Sequence, residues 1–397
     1  MRVLMVSSFL HHRGGDGTCI DVTTRALRAR GHEVVPFAMR HPDNVPSVWD
    51  TRFPPQRDVF GARGLARVTE ALGSVWSLAA ARALDALLSD VRVDVAHLHH
   101  VHRHLTPSVL GPLGRRGVRV VWTTHDYELV CPNAALWTEG APCERCVGHR
   151  YAHAVRHRCK RDSLAQSVAV AFEKHVHARL RVWDRVDRFV SPSRFCADRL
   201  VRFGIDPARV THLPNPVEDG PVGEGVGGPV VFAGRLSPEK GVDVLIAAAR
   251  TLPARSFRVL GGGAELARLR REAPPNVVFT GPLDRAEVAA ELAGAGVVAV
   301  PSRWQENDPY AVLEAQNAGR PVIASAVGGV PEQIASGEDG VLVPARDAVA
   351  LAAAIEWVYA DPERAARMGA RARARVRHSR DTLAYVARLE RIYAGEP

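Results

Sequence analysis

The sequence predicts an α/β protein of two domains, each built on a doubly wound parallel sheet with helices on both faces. A chain of 397 residues is too long for a single hydrophobic core, which favours two domains. Apolar runs typical of buried parallel strands alternate with helical patterns along most of the chain. This alternation stops in a glycine-rich, aperiodic segment and then restarts, which predicts a linker between the domains.

The same pattern sets the expected domain boundaries. We expect a first domain at residues 1–216 and a second at residues 230–377, joined by the linker at 217–229. A cysteine-rich insert is expected at about residues 131–160 of the first domain. The polar, proline-rich residues 40–64 are predicted to form a surface loop.

Composition and charge narrow the class of protein. With 46% hydrophobic and 24% charged residues, the chain resembles an ordinary globular protein, and no apolar run approaches the ~18 residues of a membrane-spanning helix. The N-terminus enters a strand-like run without a signal-peptide pattern, so we expect a cytoplasmic protein with reduced cysteines. Residues 150–209 hold fourteen Arg or Lys against six Asp or Glu. Such a basic region favours an anionic partner, whether a membrane face, an acidic acceptor or nucleic acid.

In the first domain, polar residues follow predicted strands. A turn with Gly14 and Gly15 follows the strand Arg2–Ser8, and its backbone N–H groups can approach a phosphate, although a plain tight turn has the same pattern. His125 and Asp126 follow the strand Val118–Thr124, where side chains face the ligand crevice of a parallel sheet. A structural histidine is the alternative. Five further histidines between residues 97 and 104 could line an acceptor pocket, and no role is assigned to them.

The insert contains four cysteines with the spacing of a metal-site candidate. Cys143 and Cys146 form a C-x-x-C pair, with Cys131 upstream and Cys159 downstream. Four thiolates can close a tetrahedral structural zinc site, and a buried set of reduced thiols is the alternative. A redox role is less favoured, because this C-x-x-C pair is predicted in an irregular loop rather than at a helix start.

In the second domain, two stretches predict a site for an anionic ligand rich in hydroxyl groups. Gly234 and Arg235 end one predicted strand and Lys240 opens the following helix, so both cations can face a diphosphate. Further on, a loop with Glu306, Asn307 and Asp308 follows the strand 296–300, and Glu314 lies on the next helix. Two carboxylates at the carboxyl end of a parallel sheet suit the hydroxyl groups of a nucleotide sugar.

These stretches resemble the donor-binding segment of glycosyltransferase family 4, whose members have the GT-B fold. The resemblance rests on Glu306 and Glu314 with seven residues between them, Gly319–Ile323, the Gly-Gly-x-x-Glu turn at Gly328–Glu332, and the Gly-Arg-Leu-Ser-Pro-Glu-Lys-Gly string at Gly234–Gly241. It implies two Rossmann-like domains facing across a cleft. It also implies that the last helix, within residues 378–397, packs back on the first domain.

The resemblance also implies the roles of individual residues. Arg235 and Lys240 would hold the diphosphate, Glu306 the sugar hydroxyls and Glu314 the ribose hydroxyls, while His125 would lie beside the transferred sugar. The implied donor contacts are completed by glycines and by the residues after Glu306: Gly14, Gly15, Gly234, Gly262, Asn307 and Asp308. Relatives often have Glu-Gly-Phe-Gly where this chain has Glu306–Pro309, which leaves the identity of the donor open.

The implied function is retaining transfer of a sugar to a hydroxyl acceptor without a catalytic metal, since no Asp-x-Asp motif occurs. The acceptor is expected to be a polysaccharide, a lipid-linked sugar or a small metabolite. Peripheral contact with the inner membrane face through the basic first domain is expected, and nucleic acid is not. Two alternatives stay open: another GT-B enzyme such as a sugar phosphorylase or nucleotide-sugar epimerase, and a zinc-containing nucleic-acid-binding protein.

Overall fold

The computed structural model describes residues 1–11, 14–57, 65–223 and 227–396. These residues form two compact units, one of Met1–Pro214 with Thr382–Pro397 and one of Asn215–Asp381. Parts of three predicted segments lie outside the described residues: residues 12–13 of the first glycine turn, 58–64 of the proline-rich loop and 224–226 of the linker.

The first unit is built on a parallel sheet of six strands. In chain order, its strands are β1 (Arg2–Val6), β2 (Glu33–Phe37), β3 (Val95–Leu98), β4 (Arg119–Thr123), β7 (Arg188–Ser191) and β8 (Val210–His212), with a separate hairpin of β5 (Trp137–Thr138) and β6 (Ala141–Pro142). The sheet order is β2-β1-β3-β4-β7-β8, so the chain reverses its direction of winding between β1 and β3. Ligands of such sheets bind outside the carboxyl ends of the strands at this point of reversal.

The helices of the first unit cover its sheet. They are α1 (Gly15–Ala29), α2 (Leu65–Val75), α3 (Leu78–Asp90), α4 (Leu110–Arg115), α5 (Ala152–Arg156), α6 (Leu164–Arg179), α7 (Arg194–Arg202) and α15 (Thr382–Ala394). The last of these, α15, buries Val386 and Leu389 with Val3 of β1 and Leu27 of α1. The C-terminal helix therefore belongs to the core of the first unit.

The second unit also contains a six-stranded parallel sheet. Its strands are β9 (Val230–Ala233), β10 (Phe257–Leu260), β11 (Val277–Gly281), β12 (Val297–Val300), β13 (Val322–Ser325) and β14 (Gly340–Val343). Its helices are α8 (Val242–Thr251), α9 (Leu266–Glu272), α10 (Arg285–Ala293), α11 (Tyr310–Asn317), α12 (Val330–Gln333), α13 (Ala348–Tyr359) and α14 (Pro362–Ser379). The sheet order is β11-β10-β9-β12-β13-β14, so the reversal point lies between β9 and β12.

The predicted α/β class with two doubly wound parallel sheets is confirmed, and two helix predictions need correction. The amphipathic pattern of residues 163–188 predicts one long helix, but this helix ends at Arg179, because Arg181 adopts a left-handed conformation (φ 48°) before a short 3-10 turn. Lys240 lies on a separate 3-10 turn, Pro238–Lys240, rather than in the first turn of the following helix. Among the helices of the described residues, none is long and apolar enough to cross a bilayer.

Candidate active site

In the second unit, the loops after β9 and β12 pack directly against each other at the reversal point of the sheet. The Arg303 N–H donates to the Glu239 carbonyl oxygen at 2.8 Å. Gly241 has a positive φ of 68°, and a Cβ there would lie 2.0 Å from the carbonyl oxygen of Pro301. A residue with a side chain at position 241 would therefore force the two loops apart.

This packing joins Lys240 and Glu306, which are 66 residues apart in the sequence. The Lys240 Nζ donates to Glu306 Oε1 at 2.7 Å, and the Ser302 hydroxyl donates to the same oxygen at 2.6 Å. Glu306 is only 4% exposed. Burial alone would raise the pKa of Glu306, but Lys240 and the hydrogen bonds to the carboxylate hold it below its usual value. The site thus contains a carboxylate that is ionised and fixed in position.

The glycine turn after β13 holds the backbone of the Glu306 loop. The Gly329 N–H donates to the Glu306 carbonyl oxygen at 2.8 Å, and the Gly328 N–H donates to Gln305 Oε1 at 2.8 Å. Gly328 has a φ of 56°, and a Cβ at this position would lie 2.0 Å from the Glu306 carbonyl oxygen. Gly328 of the sequence motif is therefore required for this close approach to the backbone of Glu306.

The loops after β9 and β10 form the adjoining part of the same edge. The Leu236 N–H donates to the Gly262 carbonyl oxygen at 2.8 Å, which ties the two loops together. Gly234 lies so close to the second loop that a Cβ on Gly261 would be 2.1 Å from its carbonyl oxygen. Arg235 directly follows Gly234 and is exposed, and it forms no ion pair with a residue that the structure describes. Its guanidinium is available to an anionic ligand.

Asp308 is placed differently from Glu306, although only one residue separates them. Arg380 donates to its carboxylate through both terminal nitrogens, at 2.8 and 3.0 Å. The Asn215 N–H and the Gln333 side-chain amide donate to the same carboxylate at 2.9 and 2.8 Å. The side chain of Asp308 is thus held by an ion pair and hydrogen bonds inside the unit. The neighbouring Asn307 is also buried, with 7% of its surface exposed.

Glu314 lies on α11, one helix after the Glu306 loop. It is half-buried, and burial raises the pKa of Glu314 to about 7, with a smaller opposing effect of Arg285. A carboxyl group with this pKa changes its charge near neutral pH. Perturbed carboxyl groups of this kind are common where proteins bind or transform ligands.

In the first unit, the carboxyl edge of the sheet is rich in histidine. His125 follows β4, and its Nε2 shares a hydrogen bond of 2.8 Å with Nδ1 of His99, which follows β3. Burial lowers the pKa of His125 to about 4, and burial also holds the pKa of His99 well below its usual value. Both rings are therefore neutral at pH 7. His97, inside β3, hydrogen-bonds Tyr393 and Thr123 at 2.7 Å each and belongs to the core.

Two carboxylates, those of Asp126 and Asp16, interact with these histidines and add negative charge to the edge. The Asp126 carboxylate lies 3.5 Å from His100. Burial alone would lower the pKa of His100, but Asp126 raises it to about 9. Burial alone would raise the pKa of Asp16, but the charges of His100 and His125 hold it below its usual value. Asp16 lies in the first turn of α1, directly after Gly14 and Gly15.

Several of these residues are not predicted by a sequence motif. His99, His100 and Asp16 have no role assigned from the sequence, although the histidine cluster follows a predicted strand. A buried ionic group behind the histidines was also missed. It contains Arg103 with Glu128 and Lys174 with Glu173, the latter pair at 3.1 Å. The members of this group are separated by up to 71 residues, so no local sequence pattern predicts it.

The four cysteines of the insert lie in the first unit and share one small cavity. Burial raises the pKa of the Cys146 thiol to about 12, and the sulfur atoms of Cys131, Cys159 and Cys143 add to this effect. The cysteines are therefore neighbours in space, and they are not part of the histidine edge.

Solved structures of glycosyltransferases resemble the whole chain. Sucrose-phosphate synthase from Thermosynechococcus elongatus gives a TM-score of 0.73 at 22% identity, covering 99% of this chain and 98% of that one. HepE from Anabaena, solved with UDP and glucose, gives a TM-score of 0.69 at 15% identity and covers all of both chains. At these identities the likeness shows the fold, and this fold is GT-B.

Curated relatives match part of the chain at higher identity. A GDP-mannose-dependent alpha-(1-6)-phosphatidylinositol monomannoside mannosyltransferase from Mycolicibacterium smegmatis is 37% identical over 155 residues, which cover 35% of this chain and 41% of the relative. Glycogen synthase from Mycobacterium tuberculosis is 34% identical over 188 residues, which cover 45% and 43%. The chain thus spans less than half the length of these curated relatives.

Two family models match the two halves of the chain. The model described as Glycosyl transferases group 1 matches residues 228–375, which contain the Lys240–Glu306 pair. The model described as Glycosyltransferase Family 4 matches residues 13–220, more than half of the chain. The predicted family is therefore confirmed: the chain belongs to glycosyltransferase family 4.

Proposed function

We propose that the chain transfers a hexosyl group from a nucleotide sugar to an acceptor hydroxyl with retention of configuration. The observation that carries this proposal is the Lys240–Glu306 pair, fixed by three glycine-containing loops at the reversal point of the second sheet. Nucleotides bind at this point in doubly wound sheets. A cation beside a buried carboxylate suits a ligand that carries both phosphates and sugar hydroxyls.

The second unit would hold the donor. Arg235 and Lys240 bind the diphosphate, Gly234 and Gly262 let the backbone approach it, and Glu306 accepts hydrogen bonds from sugar hydroxyls. Glu314 accepts hydrogen bonds from the ribose. Because Arg380 and its neighbours occupy the carboxylate of Asp308, we assign the donor contact of Asp308 to its backbone. Asn307 contacts the sugar through its backbone or its side chain.

In the transfer, the bond between the anomeric carbon and the diphosphate oxygen breaks, and the acceptor oxygen bonds to the same face of the sugar. The acceptor proton passes to an oxygen of the departing diphosphate. Each preorganised donor to the developing charge contributes about 3 kcal/mol in a dry site. We therefore propose that Arg235 and Lys240 replace a divalent ion, so that turnover persists in EDTA.

The first unit would bind the acceptor. Its neutral His125, oriented by His99, can donate or accept a hydrogen bond without adding charge. We propose that His125 contacts the transferred sugar and that the neighbouring Asp126 and His100 contact the acceptor. The turn of Gly14 and Gly15 remains a prediction for a phosphate contact at the start of α1.

We further propose that the first unit contacts an anionic membrane through α6. Leu164, Val168 and Phe172 recur every four residues on one face of this helix and are 53%, 47% and 53% exposed. We call these three residues the α6 ridge. Exposed arginines lie before and after it: Arg158, Arg161, Arg179 and Arg185. An apolar ridge between cationic ends fits the interface of an anionic bilayer. The mannosyltransferase relative named above is described as acting on a phosphatidylinositol mannoside, which favours a lipid-linked acceptor.

Vesicle sedimentation tests the membrane contact separately from catalysis. We expect binding to phosphatidylglycerol vesicles that weakens with salt, little binding to phosphatidylcholine, and loss of binding in Val168→Asp/Phe172→Asp. Val349→Asp, at a 79% exposed position of the second unit, should bind as the wild type does. Equal binding of both variants would contradict the proposed surface.

Release of free nucleotide tests the transferase activity without knowledge of the acceptor. The wild type is incubated with UDP-, GDP- and dTDP-sugars, with and without EDTA, and nucleotide is measured over hours. We expect slow hydrolysis of one donor, unchanged by EDTA and strongly reduced in Arg235→Ala. No release, together with no thermal shift by any nucleotide, would contradict the proposal.

A further inference from the structure

Four cysteines of the first unit surround one small cavity that the proposed glycosyl transfer does not use. Cys131, Cys143, Cys146 and Cys159 all line it. None of them is in a disulfide bond. Cys131 and Cys146 are each 8% exposed, and the other two are half-buried. Thus four thiols from three separate chain segments meet inside the protein.

Hydrogen bonds to backbone carbonyl oxygens hold these segments together independently of the sulfur atoms. The Cys143 N–H donates to the Leu136 carbonyl oxygen at 2.8 Å, which extends the β5–β6 hairpin. The Asn133 side-chain amide donates to the carbonyl oxygens of Trp137 and Cys159, at 2.6 and 3.4 Å. These hydrogen bonds therefore form the walls of the cavity without a bound ligand.

The surroundings of the thiols argue against a redox pair. Cys146 precedes only a short 3-10 turn, Val147–His149, so no long helix begins there to stabilise a thiolate. The Cys131 Sγ instead donates to Asn133 Oδ1 at 2.9 Å, and the Cys159 Sγ donates to Thr138 Oγ1 at 3.3 Å. These contacts are typical of neutral thiols rather than of a reactive nucleophile.

We propose that Cys131, Cys143, Cys146 and Cys159 bind one zinc ion as four thiolates in a closed structural site. Thiolates are preferred zinc ligands, and with Zn–S bonds of about 2.3 Å a tetrahedral site separates its sulfur atoms by about 3.8 Å. Within the described residues, no three of the four sulfur atoms lie within 4.8 Å of one another. Zinc binding would therefore bring the sulfur atoms closer together, with release of their protons.

The position of the cavity indicates what the ion stabilises. The Cys131 N–H donates to the Tyr127 carbonyl oxygen at 2.7 Å, and Tyr127 follows the His125–Asp126 pair directly. A zinc ion at this place ties the insert to the chain segment that carries the histidine edge. Its loss is expected to lower the stability of the first unit and to leave the second unit's nucleotide affinity unchanged.

Metal analysis of the full chain, purified with reductant and without chelator, tests the site. We expect one zinc per chain. Replacement of zinc by Co²⁺ should give the thiolate-to-cobalt charge-transfer absorption and the intense visible bands of a tetrahedral site. Cys143→Ser/Cys146→Ser should lose the metal and melt several degrees lower, whereas Cys196→Ala, which changes a buried cysteine outside the cluster, should keep one zinc.

Several outcomes would overturn the proposal. Wild-type protein with substoichiometric zinc and no cobalt spectrum would mean a set of reduced thiols, and mass spectrometry showing a loss of two hydrogens would mean a disulfide. If the double variant does not fold, the single variant Cys159→Ser decides. It should keep cobalt with a weakened charge-transfer band, and an unchanged band would exclude Cys159 as a ligand. None of these outcomes bears on nucleotide release, which tests the transferase proposal separately.

Discussion

The carboxyl edges of the two sheets carry different kinds of charge. In the first unit the edge consists mainly of histidines, of which burial keeps His125 neutral while Asp126 keeps His100 charged. In the second unit the edge carries a permanent cation, Arg235, and the fixed Lys240–Glu306 pair. Both sheets are doubly wound and parallel, so the fold does not dictate this difference.

Two similar sheets can therefore bind ligands of different charge. Fixed cations suit a diphosphate, whose charge is present throughout the reaction and grows as the sugar leaves. Neutral imidazoles suit hydroxyl groups, since they hydrogen-bond without a large cost in desolvation. We therefore assign the leaving group to the second unit and the acceptor to the first.

The largest expected effect is a loss of stability when the buried ion pair of Arg380 and Asp308 is broken. This pair is structural, unlike the charges of the second-unit edge that are proposed to bind ligand. Arg380→Ala leaves the Asp308 carboxylate buried and without its cation, which should lower the free energy of unfolding by about 3–5 kcal/mol. Chemical denaturation measures this loss. Arg377→Ala, which removes an exposed ion pair with Asp219 three residues before Arg380, should cost no more than about 1 kcal/mol. Equal losses would show that Asp308 does not depend on Arg380.

The next effect concerns the permanent cation of the same edge. Arg235→Ala should lower turnover about 100-fold or more with the folded state intact, because a preorganised donor to the leaving diphosphate is lost. Initial rates with saturating donor measure it. Arg371→Ala removes an exposed arginine from α14 and should leave the rate unchanged. A near-normal rate in Arg235→Ala would remove Arg235 from the site.

A substitution in the histidine edge should change kcat rather than the affinity for the nucleotide. His125→Gln should lower kcat about tenfold, the contribution of one hydrogen bond, and leave the Kd for the free nucleotide unchanged. Kinetics and calorimetry on one preparation separate the two values. A weaker nucleotide affinity with normal kcat would contradict the division between the two edges.

The smallest effect is a pH dependence within the second unit. Burial raises the pKa of Glu314 to about 7, so its carboxylate becomes ionised as pH rises from 6 to 8. If the ionised form binds the ribose hydroxyls, donor affinity should increase over this range by at most about tenfold. Glu314→Gln should remove this part of the pH dependence of donor affinity. Any part that comes from the phosphates of the donor should remain. Parallel pH profiles for wild type and variant would exclude Glu314 as the titrating group.

Much of the fold was predictable, because buried parallel strands are continuous apolar runs. Val230–Ala233 and Val297–Val300 stand out for this reason, and the glycine-rich stretch between the halves marks the restart of the pattern. The order of the strands in a sheet depends on tertiary contacts, so hydrophobic periodicity does not predict it. The pairing of β9 with β12, which joins Lys240 to Glu306, was accessible only through resemblance to a family.

The site was predictable only where its residues carry a motif. Glu306, Glu314 and the Gly328–Gly329 turn occur at a recognisable spacing. Asp308 occurs in the same string, yet its partner Arg380 lies 72 residues further on, and local sequence gives no sign of the pair. For the same reason the His99–His125 contact, which joins the ends of two strands, could not be predicted from the histidine cluster alone.

The division of ligands between the two units is tested by the affinity of a nucleoside diphosphate compared with that of the parent nucleoside. It is made by calorimetry on the wild type, Arg235→Ala and His125→Gln, with the base chosen from the donor panel. The wild type and His125→Gln should prefer the diphosphate strongly, and Arg235→Ala should lose most of that preference. An equal preference in all three proteins, or a loss confined to His125→Gln, would contradict the assignment of the leaving group to the second unit.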